Sequence, residues 1–329
     1  MTPPDTGTKL TVDVHMEDLD PTRDLEILRA GITATPRVIS SRYLYDDVGS
    51  RLFELICALP EYYQTRTERA ILEARADEIV RHAGARELVE LGSGAATKTR
   101  VLLDAMRRQN LMHRYIPFDV NEMIVRRSGE ELVELYPGLE VHGVVGDFSE
   151  HLEHIPSGDR QLYVFLGGTI GNFSTREATE FLGRVAAVMS PGDRLLLGTD
   201  LIKDRAMLHA AYNDSRGVTE AFNLNTLGVV NGLADGDFMP ELFDHEAFYN
   251  ESEHRIEMWV RAKEDHRVRL EGPDVTLDLA RGDAIRTEIS TKYDRPRVES
   301  LLASAGLELV DWFTDEHDLF ALSLARPIS

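Results

Sequence analysis

Between Glu87 and Asp200, short apolar runs alternate with stretches of helical periodicity, and no other feature limits the possible folds of this chain as strongly. The apolar runs cover residues 87–91, 115–120, 139–145, 161–166 and 194–200. Helical spacing fills residues 101–110, carried by Val101, Leu102, Ala105 and Met106, and residues 121–136, closed by Pro137-Gly138. Ser174 with Glu177 has capping-box spacing and opens a third helix that Pro191-Gly192 ends. Strands separated by helices of ordinary length pair in parallel through right-handed crossovers, so the expected class is α/β with a doubly wound sheet. Ligands of such sheets sit at the carboxyl ends of the strands. Gly92, Asp119, Asp147 and Asn172 all fall at those ends.

The first end is the turn Glu90-Leu91-Gly92-Ser93-Gly94. Glycines one residue apart let the backbone turn sharply and approach a ligand, although Gly-x-Gly also occurs in ordinary turns. A dinucleotide fingerprint needs a third glycine three residues later, where this chain has Thr97. A ligand without a pyrophosphate does not require it. Asp119, at the tip of the second strand, stands where a ribose hydroxyl pair is held, and capping of the following helix is a compatible role. Asp147-Phe148 suits an adenine, the carboxylate accepting from the exocyclic amine and the ring packing on the base. After the fifth strand the rhythm stops, and it resumes with a helix over residues 297–305 and a tight strand pair over 307–313 and 318–324. A closing hairpin after five parallel units is the pattern of S-adenosylmethionine (SAM)-dependent methyltransferases of the Rossmann-like class I type.

Elsewhere the periodicity predicts an edge strand at Leu10, Val12 and Val14, a mobile start over residues 1–20, and a capping box at Thr65-Arg66-Thr67-Glu68 opening a helix that runs to Gly84. Residues 202–222 read as one long helix carrying Tyr212, 223–237 as irregular, and 248–263 as one strand with Ile256, Met258 and Val260 on one face. Strands at 268–270, 275–279 and 286–293 complete an antiparallel insert expected to pack with the N-terminal segment. Tyr43, Tyr45, Phe53, Tyr62 and Tyr63 cluster before the first crossover; core packing accounts for three of the five, but the tyrosine pair after Pro60-Glu61 also suits the wall of a small polar pocket.

A formal charge of -21 over 329 residues argues against a nucleic-acid partner, whose phosphates are neutralised by Lys and Arg. Cys57 is the one cysteine and cannot close an internal disulfide; its apolar neighbours predict a buried thiol. No apolar run is long enough to span a bilayer and residues 1–20 have no targeting pattern, so a cytoplasmic monomer is expected, with no membrane partner. His151-Leu152-Glu153-His154 and Asp315-Glu316-His317-Asp318 lack a partner pair at zinc spacing and are expected on the surface, with no metal bound.

Several strings, taken in order, resemble the L-histidine Nα-methyltransferases of ergothioneine biosynthesis over residues 24–324. They are Tyr45-Asp46 with Val48-Gly49-Ser50, Leu59-Pro60-Glu61-Tyr62-Tyr63, Val89-Glu90-Leu91-Gly92-Ser93-Gly94, Ile116-Pro117-Phe118-Asp119-Val120, Gly146-Asp147-Phe148, Thr169-Ile170-Gly171-Asn172, Leu197-Gly198-Thr199-Asp200-Leu201, Arg255-Ile256-Glu257-Met258-Trp259 and Thr287-Glu288-Ile289-Ser290. The resemblance implies trimethylation of the histidine α-amine to hercynine with SAM as donor. It implies cofactor contacts from Gly92, Lys98, Asp119, Asp147 and Phe148. It places the amino and carboxylate end of histidine on Tyr62, Asn172 and Tyr212, the imidazole on Glu288 and Ser290, and Tyr45 and Met258 in the pocket wall. Tyr62 and Tyr212 are the candidates to lie near the reacting amine. It also implies two units: a methyltransferase domain over 68–201 and 293–329, and an α+β substrate-binding domain over 1–67 and 202–292. Spacing alone supports one part of this, because Glu288 and Ser290 are two apart and share a strand face, although Lys292 continues the same parity and a solvent-facing polar strand fits equally. The rival readings are an N-methyltransferase for another amine, such as a tryptophan derivative, and a binder without turnover.

Overall fold

The computed structural model describes residues 10–16, 22–94, 96–148 and 150–328; the expectation of mobility for residues 1–9 and 17–20 lies outside them. The chain opens with β1 (Leu10–Val14), α1 (Arg23–Ile32) and β2 (Arg37–Val38), followed by α2 (Asp47–Cys57) and α3 (Gln64–Ala83). The alternating region gives β3 (Glu87–Leu91), α4 (Thr99–Arg108), β4 (Arg114–Asp119), α5 (Glu122–Leu135), β5 (Glu140–Val145), β6 (Gln161–Phe165), α6 (Thr175–Val188) and β7 (Arg194–Asp200). Next come α7 (Arg205–Tyr212), α8 (Val218–Ala234), β8 (Phe243–Asn250), β9 (Arg255–Ala262), β10 (His266–Leu270), β11 (Val275–Leu279) and β12 (Ala284–Thr291). The chain closes with α9 (Arg295–Ser304), β13 (Leu307–Thr314) and β14 (Phe320–Pro327).

The main sheet has the order β1-β5-β4-β3-β6-β7-β14-β13. Its first six strands run parallel, β14 lies antiparallel to β7, and β13 is antiparallel to β14. This is the Rossmann-like arrangement with its closing hairpin, extended by the edge strand at Leu10–Val14. The strands β3 and β6 are buried along their whole length, as expected where helices cover both faces. One covering layer packs Ile79, Leu102 and Met106 against the sheet, and the other packs Phe181, Val185 and Leu302. Each such side chain contributes about 1.5–3 kcal/mol by leaving water. The capping box at Ser174 and Glu177 forms as read.

A second sheet, β2-β12-β9-β8, brings the N-terminal segment and the insert together, since β2 pairs in parallel with β12. Leu227 and Val230 of α8 pack with Val260 and Ile285, and Leu270 and Leu277 of the separate β10–β11 hairpin join that core.

Several expectations are corrected, most of them in the insert. The helix expected over 202–222 is two helices, because the Asp214 side chain accepts from the backbone of Arg216, Val218 and Thr219 while Gly217 takes φ +69°. The turn they make starts α8, so the stretch read as irregular is helical. The strand expected over 248–263 is the hairpin β8–β9, whose tight turn contains His254 at φ +50°. The Thr65 to Glu68 capping box is absent: α3 starts at Gln64, Thr65 bonds the Cys57 sulfur, and Glu68 turns into the protein. Cys57 itself is only partly buried.

Candidate active site

Strand periodicity brings the glycine turn to the carboxyl end of β3. Gly92 and Gly94 adopt φ +73° and +47°, and a Cβ on either would meet nothing within 4 Å, so the backbone here borders open space. Asp119, at the end of β4, ties this turn: one carboxylate oxygen accepts from the Gly94 N–H at 2.9 Å and the other from Asn121 at 3.1 Å. A carboxylate has about four acceptor sites, so each oxygen retains one for a ligand hydroxyl. The Ser93 hydroxyl is buried in the turn and has no hydrogen-bond partner among the described residues. Beneath it, Thr99 and Tyr115 donate to Glu90, whose carboxyl burial pushes up to about 7 despite those donors.

Lys98 pairs with Glu68, which is fully buried and also accepts from the Gly167 N–H at 2.7 Å. That pair ties α3, the glycine turn and the loop after β6 to one another. At the end of β5, Asp147 lies 2.7 Å from Arg42, which also reaches Asp24 at 2.9 Å, and Phe148 stands edge-on to Phe181 at 5.3 Å. Arg42 was not singled out from the sequence; nothing in Ser41-Arg42-Tyr43 marks it as a partner of a residue 105 positions away. His151 is buried and accepts from the Asp147 N–H, so it is not the surface residue expected, whereas His317 is exposed. His154 stacks on His15 with ring centres 3.7 Å apart.

The second group of side chains gathers where β12 passes the loop after β6. Glu288 and Ser290 share one face of β12, opposite Met258 and Ile256 of β9, next to a register shift between Arg286 and Glu288. Gly171 lets the Thr169–Asn172 turn press against that strand: a Cβ there would come within 2.9 Å of the Thr291 carbonyl. Asn172 donates to Glu288 at 2.5 Å and to the Ile289 carbonyl at 3.0 Å. A carbonyl only accepts, so the amide nitrogen faces β12 and Glu288 receives a donor. Burial pushes the Glu288 carboxyl up to about 7, against the pull of Asn172 and Lys292.

Tyr212, at the end of α7, donates to Ser290 at 2.8 Å. Lys292, fully buried, donates to Ser290 at 2.7 Å and to Tyr212 at 3.0 Å and pairs with Asp200 at 2.8 Å. The polar parity of Glu288, Ser290 and Lys292 therefore points inward, not to solvent. Asp200 also accepts from the Tyr63 hydroxyl at 2.9 Å and pairs with Lys203. Burial alone would raise its carboxyl; Lys292 and Lys203 outweigh burial and hold it below the usual range. Burial likewise opposes the Lys292 ammonium, and Asp200 and Tyr212 more than offset it, leaving it above an ordinary lysine. Sequence reading missed Asp200, Lys203, Tyr63 and Lys292 as site components, and the one available signal was the parity of Lys292.

Aromatic rings wall the same space. Tyr62 meets Tyr212 with ring centres 6.5 Å apart, and Tyr45 meets Phe53 at 5.4 Å and Phe222 at 5.5 Å. Tyr45 keeps 43% of its surface open while burial raises its phenol well above the ordinary range. Burial also raises the Tyr62 and Tyr212 phenols, so both stay neutral hydrogen-bonding groups near pH 7 and neither is a ready anionic base. A separate groove of about 650 Å³, lined by Pro36, Trp259 and Arg261 among others, shares none of these residues.

Among the described residues, no helix is long and apolar enough to cross a membrane, and no group of three or more His, Cys, Asp or Glu side chains is placed to hold a metal. The chain is 50% identical over 298 residues to the histidine N-alpha-methyltransferase of Mycolicibacterium smegmatis, covering 91% of this chain and 93% of that one. It is 47% identical over 296 residues to the protein of the same name from Mycobacterium tuberculosis, covering 90% and 92%. Ergothioneine biosynthesis protein 1 of Neurospora crassa is 31% identical over 305 residues, which is 88% of this chain and 34% of that longer protein. The profile of the SAM-dependent histidine-specific methyltransferases matches residues 24–327, and with a Rossmann-like sheet and an inward-facing polar strand beside its ligand edge, the chain belongs to that family.

Proposed function

We propose that this enzyme methylates the α-amine of L-histidine three times, giving hercynine, the first step of ergothioneine biosynthesis, with SAM as donor. The observation that carries the substrate is the inward-facing pair Glu288 and Ser290 on one face of β12, an acceptor and a hydroxyl that together match the two nitrogens of an imidazole. An indole offers one donor and would leave one of the two unpaired, which disfavours a tryptophan derivative. Tyr62, Asn172 and Tyr212 receive the amino and carboxylate end, with Tyr45 and Met258 in the wall. The second sheet with its flanking segments, residues 22–67 and 202–292, forms the substrate part, and residues 68–201 and 293–328 the methyltransferase part, which β1 joins as an edge strand through β5. The protein acts as a cytoplasmic monomer.

The residues at the strand ends fit the donor. Gly92 and Gly94 border open space, the Ser93 hydroxyl is buried with no partner among the described residues, and Asp119 keeps acceptor sites for a diol. Asp147 and Phe148 would hold the adenine, and Lys98 would contact the cofactor from the other side of the turn. When bound, SAM supplies a methyl on a positively charged sulfur, so no strong nucleophile has to be generated on the protein. The chain's contribution is to hold the amine in line in a pocket that excludes water, an effect that reaches about 7 to 11 kcal/mol in well-oriented systems. Since Tyr62 and Tyr212 are held neutral, they can pass on the amine's proton only by releasing one of their own as they accept it, or through water.

Mass spectrometry of histidine incubated with enzyme and SAM tests the reading: gains of one to three methyl groups are expected, and none would favour a binder. Titration in the presence of S-adenosylhomocysteine should show histidine binding and little tryptophan binding; the reverse would refute the substrate. Asp119→Ala removes a charged acceptor and should weaken S-adenosylhomocysteine about 10- to 100-fold, with the fold intact by circular dichroism. An unchanged affinity would remove Asp119 from the cofactor site.

A further inference from the structure

The three N–H groups of Lys292 are all spoken for: one to Asp200 at 2.8 Å, one to Tyr212 at 3.0 Å and one to Ser290 at 2.7 Å. An ammonium cannot accept, so both hydroxyl oxygens must act as acceptors toward it. Tyr212 and Ser290 are also bonded to one another at 2.8 Å, and the phenol, being the stronger acid, is the donor. The Ser290 oxygen thus accepts twice, from Lys292 and from Tyr212, which fills its acceptor capacity. What remains to Ser290 is its own proton, free to point toward an incoming ligand. Opposite it, Glu288 receives the Asn172 amide and offers its remaining lone pairs as an acceptor.

Resting on the histidine reading above, we propose that Lys292 is a positioning residue that gives ring recognition a fixed polarity. By saturating Ser290 it makes that hydroxyl an obligate donor. The pocket then selects the neutral imidazole tautomer whose bare nitrogen meets Ser290 and whose N–H meets Glu288. An imidazolium carries N–H on both nitrogens and would set a donor against a donor at Ser290, beside the ammonium of Lys292. Glu288 pulls the other way, since an anionic carboxylate favours a cationic ring; the obligate donor and the buried ammonium together decide for the neutral ring. Around the ring the other titratable groups are the neutral phenols of Tyr45, Tyr62 and Tyr212, and beyond Lys292 the Asp200, Lys203 and Tyr63 cluster.

Nitrogen-15 NMR of ring-labelled L-histidine bound to the unaltered enzyme with S-adenosylhomocysteine tests this at about pH 5.5, where free imidazole is mostly protonated. One bare and one protonated ring nitrogen are expected; two protonated nitrogens would overturn the inference and leave the substrate reading standing. Histidine is kept saturating, because the ionised Glu288 that it needs is scarce at this pH; no histidine binding even at pH 8 would overturn the substrate reading and this inference with it. A double-mutant cycle separates positioning from general support of the fold. Lys292→Met should weaken histidine about 5- to 10-fold and leave S-adenosylhomocysteine affinity unchanged, yet cost less than about 2-fold when Ser290 is already alanine. A loss of equal size in both backgrounds would show that Lys292 does not act through Ser290. If Lys292→Met no longer folds, the NMR measurement on the unaltered enzyme still decides.

Discussion

Glu288→Ala combined with Ser290→Ala is expected to weaken L-histidine by about two to three orders of magnitude and to leave S-adenosylhomocysteine within about 2-fold. A hydrogen bond to a charged group contributes about 1.5–3 kcal/mol and a neutral one about 0.5–1.5, so the two together amount to roughly 2–4.5 kcal/mol, or about 30- to 2000-fold. The selectivity follows from location: both residues lie on β12, whereas the glycine turn follows β3 and Asp119 ends β4. Titration calorimetry with each ligand gives both constants. An equal rise in the two would mean that the variant has damaged the fold or that the pair does not read the ring. The same carboxylate gives a pH dependence. Burial raises Glu288 to about 7, above its unfolded value of about 4.3. Its neutral form therefore contributes stability to the free protein that is complete below about pH 4 and is lost as pH rises through about 7. Histidine needs the ionised form, so its affinity should increase from pH 6 to pH 8, and Glu288→Gln should flatten that part of the increase which the carboxylate causes.

Asp200→Ala is expected to have the largest effect on stability. This carboxylate sits between Lys292 and Lys203 and accepts from Tyr63, all of them buried. Removing one partner of a buried ion pair leaves an uncompensated charge and costs about 3–5 kcal/mol, and here two ammonium groups are left. Thermal unfolding at neutral pH should show a drop of several degrees at least. Lys203, already pulled down to about 8 by burial against the attraction of Asp200, should fall further and shed its proton. For the unaltered enzyme the sign runs the other way with acid. Asp200 is depressed below its unfolded value, so its contribution is present above about pH 4 and disappears only as pH falls through its lower folded value. A melting temperature unchanged by Asp200→Ala at pH 7 would show that the cluster is solvated and does not depend on this charge.

Much of the main sheet was legible because its signal is local and repeated. Buried parallel strands are apolar throughout, and Pro-Gly or glycine punctuation separates them from helices with one apolar face. Where a short polar side chain makes a tertiary decision, that reading fails. Asp214 capping α8 split one expected helix into two, and the turn at residues 251–254 folded one expected strand into a hairpin. Thr65 to Glu68 has capping-box spacing, yet the partners that the buried Glu68 finds in Lys98 and in the Gly167 N–H outweighed a local cap.

By itself the sequence determined where the main-sheet strands fall along the chain and which residues stand at their carboxyl ends, because period and punctuation act over a few residues: Gly92, Asp119 and Asp147 follow from that alone. Through its ordered strings it also determined the family. What only the tertiary structure decided is the inside of the substrate pocket. Strand parity says that Glu288, Ser290 and Lys292 share a face but not whether that face meets water, and a polar face is buried only when partners neutralise it. Those partners, Asn172, Tyr212, Asp200, Tyr63 and Lys203, come from other segments of the chain, and their contacts with β12 or with one another exist only once the two sheets have formed.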